Sequence, residues 1–329
     1  MQPFTYRSVD TVAGARAALL EHPDAQMIAG GTTLRDLMKA GVERPGFVID
    51  INRLPLTTID ATSDRIRIGA LARNSDVADD ATIAREFPVL AQALAAGASG
   101  QLRNMATVGG NLLQRTRCPY FRDNVSRCNK RAPGSGCDAS DGVNRMHAVL
   151  GTSEACIATH PSDMTVALAA LDAAIVVMRE GGEVRLTLDE FYCLPEATPE
   201  RETILQRGDV IVAVEIATSA AHRRSLYLKL RDRASYEFAL VSVGAALDFG
   251  DDATISHARL ALGGVATVPW RAHEAERVLD GAAASPELFR RAADAALAGA
   301  ETTPQNAFKV ELAKRAIVRV LSTLAESPS

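Results

Sequence analysis

Apolar residues recur at helical spacing from Val9 to Glu21, which predicts a helix. Gln26-Met27-Ile28 reads as a short strand that runs into Ala29-Gly30-Gly31-Thr32-Thr33, after which Leu34 to Ala40 returns to helical spacing. Phe47 to Ile51 is a second apolar strand, and Ile66 and Ile68 alternate with Arg65 and Arg67 as in a half-buried strand. Asn74 to Asp79 reads as a capped helical turn, and Pro88 to Ala98 as an Ala/Leu helix with proline at its start. A helix over Met164 to Ala173, capped by Ser162 or Asp163, follows. Then comes a hairpin of Ala174 to Arg179 and Glu183 to Leu188 about Glu180-Gly181-Gly182, and a strand from Val210 to Ile216. The composition changes near Ser219 to Arg224. Beyond it, strands at Tyr227 to Arg231, Val241 to Phe249 and Ser256 to Leu262 precede helices at Arg271 to Leu279, Pro286 to Ala298 and Gln305 to Ala325. Strands followed by helices predict a separate α+β domain.

Two glycine pairs interrupt this pattern. Strand, Gly30-Gly31, Thr32-Thr33 and helix make a sensible anion cradle: glycines let a ligand approach, while amides and hydroxyls donate to phosphate oxygens. A plain strand-to-helix turn with threonine as cap explains the same residues, and the Rossmann G-x-G-x-x-G spacing is missing. The second pair lies in Thr107-Val108-Gly109-Gly110-Asn111, and two such loops favour a dinucleotide more than either alone.

A chain of 329 residues can hold two or three domains. Its net charge of -4 and its 5% aromatic content argue against nucleic acid as a partner. No apolar run reaches the ~18 residues of a membrane span, and the N-terminus MQPFTYRSVD lacks the charged and apolar regions of a signal peptide. The five cysteines, at 118, 128, 137, 156 and 193, are odd in number and come without a signal peptide, which argues against a disulfide framework. Cys118, Cys128, Cys137 and Cys156 cluster, which points to a shared ligand role, whereas Cys193 reads as a buried structural thiol. There is no C-x2-C pair and no compact ferredoxin run, so spacing alone favours an iron–sulfur cluster over zinc only modestly. Arg115, Arg117, Arg122, Arg127, Lys130 and Arg131 surround these cysteines; bases there would raise a cluster's potential, and a solvated or partner-facing loop would explain them as well. The six histidines show no ligand spacing and read as surface or structural residues, His160 alone lying near a motif.

AGGTTL at 29–34, ATVGGNL at 106–112, HPSDM at 160–164, GDVIVAVEI at 208–216 and YLKLRDRASYEFA at 227–239 together resemble the FAD-binding subunit of molybdenum hydroxylases, the xanthine dehydrogenase and aldehyde oxidoreductase family. The resemblance covers essentially the whole chain, in order. The insertion CNKRAPGSGCDASDG is similar to that of flavin subunits of periplasmic aldehyde oxidoreductases with an extra [4Fe–4S] cluster; the 4-hydroxybenzoyl-CoA reductase flavin subunit also has a cluster insertion.

The resemblance implies an α+β fold: a two-lobed FAD-binding domain of the vanillyl-alcohol-oxidase type, then a smaller α/β C-terminal domain. The lobes would span residues 1–55 and 56–222, the second with an iron–sulfur loop at 115–156, and the C-terminal domain 223–329. It implies FAD held by Ile28, Ala29, Gly30, Gly31, Thr32, Thr33 and Leu34, with Thr107, Gly109, Gly110 and Asn111. Asp163 would lie by the phosphate–ribose part, Ile211 (often leucine in the family) against the flavin, and Lys229 by the flavin or adenine. The cluster ligands would be Cys118, Cys128, Cys137 and Cys156. No residue of this chain would be catalytic toward substrate. Electrons would arrive from molybdenum on a large partner subunit through two [2Fe–2S] clusters on a small one, pass to FAD, and leave to an external acceptor. The compartment would be cytoplasmic, or periplasmic if the folded complex is exported on a partner's signal. Alternatives are a xanthine dehydrogenase-like or 4-hydroxybenzoyl-CoA reductase-like subunit, a stand-alone flavin oxidase, or a flavin-free cluster-binding scaffold.

Overall fold

A computed structural model describes residues 1–250 and 254–326. The first sheet is parallel, with the order β1 (Thr5–Ser8), β3 (Phe47–Asp50), β2 (Ala25–Ile28). Parallel neighbours need a crossover. The helix Val12–Glu21 supplies one and Leu34–Ala40 the other. Thr11 starts the first by accepting from the Gly14 amide, and Gly41 stops the second in the left-handed region, φ 70°.

The second sheet has the order β4 (Ile59–Ala61), β5 (Arg65–Gly69), β8 (Val210–Ala217), β6 (Ala174–Arg179), β7 (Gly182–Thr187), all antiparallel. Its central strand β8 is buried from Val210 to Ile216, as its unbroken apolar run requires. The one charge in that run, Glu215, is held by Arg67 at 2.6 Å and Arg185 at 2.7 Å. Burial opposes its ionisation, but these guanidinium partners win and keep its carboxyl below the usual range. The register of β8 against β6 slips between Val176 and Val177. A bulge of this kind re-aims side chains. Val212 faces the core shared with the first sheet, while Ile211 joins the main core of the second.

The third sheet is an antiparallel meander, β9 (Ser225–Leu230), β10 (Val241–Phe249), β11 (Ile255–Gly263) and β12 (Trp270–Arg271). The helices His273–Leu279, Pro286–Ala296 and Phe308–Glu326 cover one face with a separate apolar core. The other face meets the helices Pro88–Ala96 and Asp163–Ala170. Contact there is close: a Cβ on Gly263 would lie 2.5 Å from both Val166 and Ser242. Lys309, on the helix Phe308–Glu326, is the largest polar side chain among those fully buried. Its ammonium donates to the carbonyls of Met146, His147 and Gly264 at 2.7–3.0 Å. Burial pushes it down to about 7, while the three carbonyls occupy all three of its protons.

The periodicity located most of these elements to within a few residues. It missed β1, whose four residues are all exposed and show no alternation. Ser162, not Asp163, caps the helix that follows, accepting from the Thr165 amide.

Candidate functional site

The two glycine loops meet. A Cβ on Gly30 would lie 1.7 Å from the Met105 carbonyl oxygen, so the bare glycine is what lets the first loop rest on the chain entering the second. Gly31 sits at φ 69°, in the region that favours glycine. Thr107 opens the short helix Val108–Leu112 and accepts from the Gly110 amide. A Cβ on Gly109 would press on Ala70 at 3.2 Å. Part of the need for glycine is therefore protein–protein contact, in addition to any contact with a ligand.

The loops differ in what they leave free. In the second, Gly109 donates to Ala70 O and Gly110 to Thr107. In the first, no group among the described residues accepts from the amides of Gly30, Gly31, Thr32 or Thr33, and Thr33 makes no side-chain cap bond. Buried or half-buried amides want acceptors, and the first loop offers such donors where the second does not.

A cleft of about 290 Å³ opens beside these loops. Ile28, Ala29, Gly30, Gly31, Thr32, Thr33 and Leu34 line it, with Thr107, Gly109, Gly110 and Ile211. The other expected contacts lie outside it. The Asn111 side chain accepts from Ser162 at 2.7 Å and from Gln114 at 2.5 Å. Asp163 accepts from Lys229 at 2.8 Å and Tyr227 at 2.5 Å, on the border of a different cavity of about 190 Å³.

Arg115, read from sequence as one base of a loop, is the bridge between lobes. It pairs with Glu43 of the first and, at 2.6 Å, with Glu202 of the second, while its guanidinium lies over the Phe121 ring. Lys130 reaches Glu202 as well, at 3.0 Å. Burial works against charge on Glu202, yet Arg115 and Lys130 hold its carboxyl below the usual range. Arg115 and Leu113 line both the cleft and a neighbouring polar cavity of about 350 Å³. His160 borders that cavity, and burial pushes it down to about 4.

The basic residues of the cysteine loop are internal braces. Arg117 and Arg122 both pair with Asp36, on the helix after the first glycine loop. Arg127 pairs with Asp138, and Arg131 donates to the carbonyls of Tyr120, Phe121 and Ser126. Inside the loop, Cys118, Cys128, Cys137 and Cys156 line one cavity of about 10 Å³, room for a single water. Cys128 and Cys137 face each other across an antiparallel bridge. No group of three His, Cys, Asp or Glu among the described residues is already drawn together as a metal chelate. Burial pushes the Cys118 thiol up to about 12 and raises Cys156 too.

Cys193 is half-exposed and borders the polar cavity, which corrects its reading as a buried thiol. Of the six histidines, read as surface or structural residues, His147 and His222 are buried. Among the described residues no helix is long and apolar enough to cross a membrane.

Residues 2–218 match the model of the FAD binding domain in molybdopterin dehydrogenase, and residues 225–324 that of the CO dehydrogenase flavoprotein C-terminal domain. The chain belongs to this family, the FAD-binding subunits of the molybdenum hydroxylases. It is 49% identical, over 98% of both chains, to the aldehyde oxidoreductase FAD-binding subunit PaoB of Escherichia coli (strain K12). It is 26% identical to the carbon monoxide dehydrogenase medium chain of Hydrogenophaga pseudoflava, over 90% of this chain and 86% of that one. A solved structure of the Hydrogenophaga pseudoflava carbon monoxide dehydrogenase matches with TM-score 0.76 and 26% identity, covering 98% of this chain and 96% of that one.

Proposed function

We propose that this chain is the electron-transferring flavin subunit of a molybdenum-dependent aldehyde oxidoreductase, carrying FAD and one [4Fe–4S] cluster. It would work in a heterotrimer with a small [2Fe–2S] subunit and a large molybdenum-cofactor subunit, and pass electrons to an external acceptor. The aldehyde reading rests on the 49% identity to a subunit so named. The cluster reading rests on one observation: four of the five cysteines line a single buried cavity, with no carboxylate among its lining residues.

The residues suit both groups. Free amides and threonine hydroxyls at Gly30 to Thr33 would bind the FAD pyrophosphate, with Thr107, Gly109 and Gly110 forming the opposite wall and Ile211 an apolar contact. Asn111, Asp163 and Lys229 would act at a distance from that cleft, by bracing the residues that approach the rest of the cofactor. Cys118, Cys128, Cys137 and Cys156 would be the cluster ligands, the sulfurs spreading to admit a core larger than the present cavity. When bound, FAD supplies two-electron and the cluster one-electron chemistry; the chain binds them, excludes water and tunes them. Lys130, which lines the thiol cavity and pairs with Glu202, places a positive charge beside a site that would be anionic.

Anaerobically prepared protein is expected to contain iron and acid-labile sulfide at about four each per chain, the stoichiometry of such a cluster. Stoichiometric zinc without sulfide would refute the cluster while leaving the four ligands in place.

A further inference from the structure

We infer that His147 donates a hydrogen bond to the Cys118 sulfur and thereby raises the reduction potential of the cluster that the four thiols hold. This rests on the cluster reading above.

The imidazole Nε2 lies 3.1 Å from Cys118 Sγ in a buried contact. Cys118 borders two cavities, the thiol cavity and the one that also holds Asp163. His147 lines only the second. The ring therefore reaches the sulfur from the side away from the other three thiols, as a partner of the ligand and not as a fifth ligand. Such outer contacts orient ligands and tune the metal.

The ring is firmly placed. The His147 amide donates to Asn144 O at 3.0 Å, and its carbonyl accepts from Lys309 at 3.0 Å. The same ammonium holds Met146 O and Gly264 O, so one residue of the C-terminal domain ties the segment that presents the ring to the end of β11. Tyr120 lies against it, ring centroids 6.3 Å apart.

The tautomer follows from the partners. Nδ1 is buried and has no hydrogen-bond partner among the described residues. A neutral imidazole carries one N–H. On Nδ1 that proton would be a buried orphan donor; on Nε2 it meets the sulfur. A metal-bound Cys118 has no S–H of its own, so only the Nε2–H form makes the bond. A donor to a cluster sulfur favours the more negative, reduced state, and hydrogen bonds of this kind help set cluster potentials.

The test is an EPR-monitored redox titration of the assembled complex. His147→Leu removes the donor and is expected to disfavour cluster reduction about tenfold, a shift of ~59 mV to lower potential for one electron. His147→Gln places an amide donor near the same point and is expected to keep most of the native potential. A Leu variant with full iron and an unchanged potential overturns the inference. If that variant fails to load, wild-type protein labelled with 15N-histidine decides: the reduced cluster should show hyperfine coupling to a histidine nitrogen, and no coupling overturns the inference. Wild-type protein without iron and sulfide would instead sink the cluster reading beneath it.

Discussion

Gly30→Ala is expected to yield protein stripped of flavin, with FAD affinity reduced at least about 100-fold. The new methyl carbon would sit 1.7 Å from the Met105 carbonyl oxygen, a distance no side-chain rotation can relieve because both atoms belong to the backbone frame. One loop must retreat. The retreating segment either carries the free amides of Gly30 to Thr33 or leads into Thr107, Gly109 and Gly110 on the opposite wall. A displacement of about 1 Å suffices to lose charge-assisted hydrogen bonds to a pyrophosphate, each worth about 1.5–3 kcal/mol. Two or three of them account for the predicted loss. Gly100→Ala is the control, since a Cβ there meets nothing within 4 Å, and that protein should remain flavin-replete. Flavin absorbance per chain after gel filtration reads both. Normal occupancy and affinity in Gly30→Ala would remove the first loop from the FAD site.

Cys137→Ser is expected to lose most of the iron and sulfide, and Cys193→Ser to keep both. The reason is geometric. Cys137 lines the thiol cavity opposite its bridge partner Cys128, while Cys193 faces the polar cavity beyond Cys156. Serine offers a hard oxygen where a soft thiolate is needed. Losing the core should also loosen the loop, whose exposed tip at Val125 then becomes a site for limited proteolysis. Iron retained in Cys137→Ser and lost in Cys193→Ser would reassign the ligands.

The parts of the fold that depend on local pattern were legible in the chain. Leu34 to Ala40 reads as a helix because its apolar positions repeat and Gly41 follows, and the structure ends it there. Thr5 to Ser8 did not read as a strand, because a fully exposed edge strand carries no burial signature. At the site, the glycine pairs and Ile211 lie in one cleft, but the reason for Gly30 is Met105, seventy-five positions away in sequence (105 − 30) and invisible to any local motif. The same holds for Arg115, whose partners Glu43 and Glu202 flank it at long range in the chain. It holds for Asp163 and Lys229 as well, which satisfy each other. His147 gave no signal: no ligand spacing surrounds it, and its contact with Cys118 joins positions 29 apart, with its own carbonyl held by Lys309 of the last helix.

The most direct test of the electron-transfer account is anaerobic addition of an aldehyde while the flavin absorbance near 450 nm is followed. The assembled three-subunit complex is expected to lose that absorbance within turnover time, and the isolated, flavin-loaded chain to keep it, because in the proposed account the aldehyde reacts on the molybdenum subunit. Rapid bleaching of the isolated chain by aldehyde would contradict the account and make the protein a flavin oxidase in its own right.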